Sequence, residues 1–304
     1  MIILASIIHV VLALSLSPLL IGVINRVKAK FAGRRGRPLL QLYYDLWKLL
    51  HKGAVYSTTT TWVFRTGPLV GISAVLVAIS LVPLGRVPAL AAFDGDIILL
   101  AYVLGLMRFM TVLAALDTVS AFEGMGAGRE VQFSLLAEPA LLLGVGALSI
   151  STGDWSLSGI YGSLFADGLA AVAPTAVMVA ASLLIILLAE NSRIPVDDPN
   201  THLELTMIHE VMVLDHGGVD LAFIQYAAAL KLWVFCALFV GVALPLQMHW
   251  PLVDLAFGMA GVFIVAMVIG VIESTMARLR LLRVPQMLVV SAVLAMIAVL
   301  WALR

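Results

Sequence analysis

The stretch LAAVAPTAVMVAASLLIILLAE, residues 169–190, carries a single ionisable side chain, Glu190, at its last position. A helix that crosses a bilayer needs ~20 largely apolar residues, and this run supplies them. Directly after it the chain reads NSRIPVDDP (191–199) and continues through Glu204, Glu210, Asp215 and Asp220. Seven carboxylates therefore crowd between this run and the next apolar one, against one arginine (Arg193) and three histidines (His202, His209, His216). Carboxylates at a membrane edge are usually retained because a charge, most often a proton, visits them.

The rest of the chain repeats the apolar pattern. Of 304 residues 62% are hydrophobic and only 12% charged, and mean hydropathy is +1.09, which excludes an ordinary soluble domain. Eight runs are long enough to span, approximately 2–25, 68–92, 97–119, 131–150, 169–190, 220–245, 252–277 and 285–303. They lack period-two alternation and are about twice the length of a barrel strand. The expected fold is an all-α membrane protein: one integral membrane domain over 1–304, with eight transmembrane helices. An acidic loop over 190–219 joins the fifth and sixth spans.

Basic residues set the orientation. Fourteen of the 18 lysines and arginines fall in loops after odd-numbered runs, nine of them between Arg26 and Arg65. Both termini are therefore expected on the non-cytoplasmic side of a cytoplasmic (inner) membrane, with the acidic loop facing the cytoplasm. The first run has no basic residue ahead of it and is expected to stay as an anchor. The lone Cys236 allows no internal disulfide and no cysteine cluster for zinc or iron–sulfur ligation. No glycine-rich nucleotide fingerprint is present, so neither a metal site nor nucleic acid is expected.

The longest cytoplasmic loop contains a basic turn, Gly33-Arg34-Arg35-Gly36-Arg37-Pro38. Behind it Leu39, Leu42, Tyr43, Leu46, Leu49 and Leu50 recur at helical spacing, while Gln41, Asp45, Lys48 and Lys52 fall on the other face. That pattern predicts an amphipathic interfacial helix over 38–52. It reads as a lipid-surface anchor or as a docking ledge for a soluble partner.

Within the spans the ionisable residues are few. Glu138 stands about two turns into the fourth run and is a candidate proton carrier. Lys231, midway along the sixth, reads as a structural ion pair, a relay group or both. Arg108 pairs or snorkels. Asp117 and Glu273 lie near cytoplasmic ends, and Asp154 and Asp167 are expected to be solvated. The three histidines repeat every seven residues but do not complete a zinc-protease pattern.

Four motifs together resemble one family. Arg34 to Leu50 is similar to the first cytoplasmic loop of the membrane-arm anchor subunit of respiratory complex I. It is closer still to the corresponding subunit of energy-converting membrane-bound nickel–iron hydrogenases, the formate hydrogenlyase subunit 4 and hydrogenase-4 component C family. Leu116-Asp117-Thr118 with Gly126 to Glu130 and Glu138-Pro139, then Glu190, Arg193, Pro195, Asp197, Glu204 and Leu205, and finally Glu273 to Arg278, resemble further segments of it. The chain departs in carrying Asp215-His216-Gly217-Gly218 where relatives have Glu-Tyr-Ser-Gly, and an added Asp198.

The resemblance implies a non-catalytic coupling subunit of an oxidoreductase complex. A peripheral iron–sulfur subunit and a large subunit would dock on Arg34, Arg35, Arg37, Gln41, Asp45, Lys48 and Lys52. Redox events there would disturb a proton relay of Glu138, Glu190, Asp197, Asp198, Glu204, Glu210, Asp215, Lys231 and Glu273, feeding antiporter-like membrane subunits. Arg108, Asp117, Arg129, Glu130 and Arg193 would balance its charge, with Glu190, Asp197 and Asp198 titrating as one coupled set. Iron–sulfur clusters, and in the hydrogenase branch nickel and iron, would sit in the partners. The alternatives are a quinone-site subunit, with a lipid-soluble quinone entering beside the amphipathic helix, and a stand-alone secondary transporter. An intramembrane enzyme would need a catalytic set that the chain does not display.

Overall fold

The computed structural model describes residues 2–85, 87–164, 169–198, 207–244 and 250–304. Glu204, with Asp167 and His202, lies outside the described residues. The helices in chain order are α1 (Ile2–Phe31), α2 (Gln41–Leu50), α3 (Trp62–Leu81), α4 (Asp96–Asp117), α5 (Ala121–Thr152), α6 (Leu157–Ser163), α7 (Leu169–Glu190), α8 (Gly218–Ala243), α9 (Pro251–Thr275) and α10 (Val284–Ala302). All but α2 and α6 are long and apolar enough to cross a membrane, which gives the eight spans expected. Among the described residues no β-strand forms.

Two spans differ most from the hydropathy reading, each for a physical reason. The second span runs 62–81 rather than 68–92. Its apolar stretch continues past Leu81, but Pro83 and Pro88 cannot extend a helix, and Leu84 and Val87 instead pair across a tight turn. At its other end Asp117 accepts hydrogen bonds from Thr61 N (2.6 Å), Thr61 Oγ1 (2.9 Å) and Phe64 N (3.3 Å), a strong cap on α3. The fourth span begins at Ala121, ten residues before the apolar run does. Its first turn is held by Glu123, fully buried, whose Oε1 accepts from Asp215 N at 3.0 Å.

The most enclosed span is α8: 78% of its most apolar window is buried, against 28% for α10. It packs on α1, α2, α3, α7 and α9, while α3 lies on α4, α10 on α5 and α7, and α1 on α9. Lipid tails supply no hydrophobic drive between spans, so close approach depends on small residues. Gly270 of α9 is one: a Cβ there would lie 2.8 Å from Val27 Cβ of α1. This contact brings Lys28 of α1 beside Glu273 of α9.

The helix α2 lies against α1 and α8 at the end of the bundle where the acidic segment also lies. Tyr43 donates its hydroxyl to the Ser15 carbonyl of α1, while Tyr44 and Trp47 point outward, 60% and 69% exposed. Aromatic rings with one polar edge favour the bilayer–water boundary. The chain after α2 is pinned beneath the start of α8 by Gly218, whose φ is +56°. A Cβ there would meet the Gly53 carbonyl oxygen at 2.6 Å.

Candidate functional site

Four spans contribute to one buried ion network. Arg108 of α4 reaches α5 and α7: its Nη1 donates to Glu138 Oε1, and its Nη2 donates to Glu190 Oε1 at 2.5 Å and Oε2 at 2.6 Å. Its Nε lies 3.3 Å from Glu130 Oε1. Lys231 of α8 completes the network, with Nζ 2.8 Å from Glu190 Oε2. Glu190, at the apolar run's last position, is therefore the hub, bridging two cations from different helices. Its side chain is 6% exposed, whereas Glu138 is 48% exposed and opens to the side of the bundle. Charges taken from water into this setting need several partners each, and Glu190 has them.

The end of α7 aims the next residue at a second cluster. Ser192 adopts φ +51°, and Arg193 N donates to Leu188 O (2.8 Å) while Ser192 N donates to Ala189 O (3.2 Å). These are the two bonds of a Schellman turn, with serine where glycine is usual. Arg193 is thereby folded back against Glu273, Nη1 to Oε1 3.5 Å, and Lys28 holds the other carboxylate oxygen at 2.7 Å. Glu273 is fully enclosed.

Asp197 belongs to neither group. Its Oδ1 pairs with Arg278 Nη2 at 2.8 Å, and its Oδ2 accepts from Ile208 N (2.9 Å) and His209 N (3.3 Å). Glu190 and Asp197 are engaged by different cations: Arg108 and Lys231 from α4 and α8 hold the first, and Arg278 from the loop after α9 holds the second. Arg193 likewise pairs with Glu273 rather than with the aspartates. Asp117, expected in a charge pair, caps α3. Arg129 donates from Nη1 to the Met207 carbonyl at 2.8 Å. Asp154 is not simply solvated, since its Oδ2 accepts from Ser163 Oγ at 2.8 Å. Asp215 is exposed and contributes its backbone N–H.

A polar cavity of about 280 Å³ lies beneath α2, between Arg37, Gln41 and Asp45 on one side and Arg193, Glu210 and Gln225 on the other. Three buried atoms on its lining, Asn191 Oδ1, Arg193 Nε and Gln225 Oε1, have no hydrogen-bond partner among the described residues. Buried polar groups of this kind usually meet ordered water. Its lining also includes Asn191, next to Glu190, and Ala228, one turn before Lys231. Two voids of about 10 Å³, near the space one water occupies, border the network itself; one touches Glu130 and Glu190, the other Arg108, Glu138 and Glu190.

On the cavity rim Glu210 is pushed up to about 7 by burial and by the charges of Asp197 and Asp198, with Arg193 opposing. Burial lowers both His209 and His216. His216 stacks on Phe64, with ring centroids 3.9 Å apart. These two histidines lie in an irregular segment with one 3-10 turn (Glu210–Val213), not on a single helical stripe.

Arg34, Arg35 and Arg37 are exposed, as are Lys48 and Lys52, and Gln41 donates to Asp45 Oδ1 at 2.9 Å. Three contributors were missed in the sequence: Lys28, Arg278 and Glu123. Lys28 reads there as one more basic loop residue. Only the α1–α9 packing turns it inward.

The model of the NADH dehydrogenase family matches residues 3–303. The chain belongs to that family. Within the NADH dehydrogenase family it is similar to hydrogenase-4 component C of Escherichia coli (strain K12), 31% identical over 278 residues that cover 90% of this chain and 87% of the relative. Formate hydrogenlyase subunit 4 of the same organism is 30% identical over 273 residues, 88% of each chain. A chain of the membrane-bound sulfane sulfur reductase (MBS), an archaeal respiratory membrane complex, has a similar fold, with a TM-score of 0.79 over 98% of this chain and 99% of that one. At 20% identity that likeness is one of fold. Membership of the NADH dehydrogenase family, with these relatives, makes the chain a membrane subunit of the complex I-like, hydrogenase-type class.

Proposed function

We propose that this subunit anchors a peripheral redox arm and couples electron transfer there to ion movement through the membrane, performing no redox chemistry itself. The observation that carries the reading is the unbroken ion network from Glu138 through Arg108 and Glu190 to Lys231, approached from the α2 end by a polar cavity. The α2 end faces the cytoplasm of the inner membrane, as the basic residues favour, with both termini on the other side. An iron–sulfur subunit and a large subunit dock on the ledge made by Arg34, Arg35, Arg37 and the polar face of α2.

A change of charge in that arm alters the proton occupancy of Glu210. Water in the cavity carries the disturbance to Glu190, whose carboxylate exchanges a proton while Arg108 and Lys231 hold its position. Glu138 and Glu130 extend the network toward antiporter-like membrane subunits. Asp197, Asp198 and Glu273 serve as the frame of the segment, with Asp215 at its edge. The residues of this chain offer no cluster of thiolates for an iron–sulfur or nickel–iron centre, so those groups belong to the partners.

A second reading is favoured by the position of the cavity beside α2 at the membrane edge: a quinone head group enters there. Purification of the native assembly separates the two. Co-purifying iron–sulfur and hydrogenase-like subunits, lost when Arg34→Glu and Arg35→Glu are combined, support the coupling subunit. A solitary chain, or docking at full strength in that variant, contradicts it. Quinone-dependent turnover by the intact complex would favour the second reading.

A further inference from the structure

Besides the polar cavity near α2, the network meets a second opening, on the side of the bundle. Between Ile98 and Phe109 of α4 and Glu138 and Leu142 of α5 the bundle surface opens into a groove of about 550 Å³. Tyr102, Leu106, Phe109 and Leu142 make apolar walls, Gly105 forms the floor, and Glu138 is the one charged group on the lining. At 1.5 Å per residue, Glu138 stands ~10 Å, or two turns, into the apolar part of α5 that begins near residue 131. A carboxylate there looks sideways at a depth where a bilayer offers no water.

A carboxylate oxygen faces that opening. Arg108 occupies Glu138 Oε1, and no donor reaches Oε2 among the described residues. The charge balance points the same way. Three carboxylates, Glu130, Glu138 and Glu190, share two cations, Arg108 and Lys231. Of the three, Glu138 alone opens widely to the side, at 48% exposure against 14% and 6%. Acyl chains carry no donor and would leave that oxygen unsatisfied in hydrocarbon. A second copy whose two-fold axis passed through the groove would set one Glu138 against another.

We infer that this groove seats a transmembrane helix of a different subunit, one that presents a basic or hydroxyl-bearing side chain to Glu138 within the apolar layer. The inference rests on the reading of the chain as one subunit of a larger membrane assembly, and not on the relay of protons through Glu190. Gly105, with no side chain of its own, leaves the floor low enough for the helix to approach α4 closely.

The test uses the native complex with a photo-crosslinking residue at Tyr102 or Phe109. The expected adduct joins this chain to a membrane-spanning peptide of another subunit that carries a donor side chain within one turn of the attachment point. Gly105→Trp, which fills the floor, should lower adduct yield about tenfold and release that subunit, with the peripheral arm still bound. Adducts with lipid alone, with a second copy of this chain or with a water-soluble subunit would overturn the inference, as would an undiminished adduct in Gly105→Trp. Ion movement is not read in this experiment, so a failure of the relay leaves its outcome unchanged.

Discussion

Arg108 and Glu190 meet as a fork: one guanidinium nitrogen donates to both carboxylate oxygens, at 2.5 and 2.6 Å. Each residue comes from a different span, and each has further partners, so the pair ties α4 and α5 to α7 and α8. Arg108→Met would leave three carboxylates against Lys231 alone. Breaking a buried pair on one side costs ~3–5 kcal/mol. The variant should melt well below the parent in nanodiscs, and Arg108→Met combined with Glu190→Leu should lose less than the two single changes summed.

Glu210 gives the pH dependence a direction. Its carboxyl is raised to about 7 by burial and by Asp197 and Asp198, from an ordinary value near 4.3. A carboxyl raised in the folded state favours folding while it is protonated, so its contribution is full below the ordinary value and is lost as pH rises through 7. Glu210→Gln should therefore flatten the fall in melting temperature between pH 5 and pH 8. An unchanged slope would mean that Glu210 is not held in this environment.

Asp197 is expected to be structural rather than a carrier. It ties Arg278 to the backbone of Ile208 and His209, and hydrogen bonds to charged groups contribute ~1.5–3 kcal/mol each. Asp197→Asn should increase protease cutting in the 207–217 segment and lower the melting temperature. Ion movement per electron should fall only in proportion to the folded complex that remains.

Gly218→Ala tests how the α2 ledge is fixed. An alanine must adopt a left-handed conformation, which costs ~1–2 kcal/mol, and must also displace the Gly53 carbonyl. Amide exchange should quicken at residues 51–55 while α9 and α10 stay protected.

Hydropathy was enough for the number and class of the spans, because bilayer thickness dictates run length. It failed at Pro83 and at Ala121, where local backbone chemistry, not apolarity, decides the helix ends. Glu138, Glu190 and Lys231 were legible as candidates because a charge inside an apolar run needs a reason. Their partners were not legible, since Arg108 and Glu190 are 82 residues apart in the chain and only packing joins them. The partners of Asp197 were hidden for the same reason: Arg278 and the backbone N–H groups of Ile208 and His209 reach it only in the folded chain.

The most direct test of coupling through the network is the ion gradient built per electron by the purified complex in sealed liposomes, compared between the parent and Glu190→Gln. The amide keeps the shape of the carboxylate and its one oxygen can still accept from Arg108 and Lys231, but it cannot take up a proton. Electron transfer should continue at a comparable rate with the gradient largely abolished. An equal gradient per electron in an intact Glu190→Gln complex would contradict the relay.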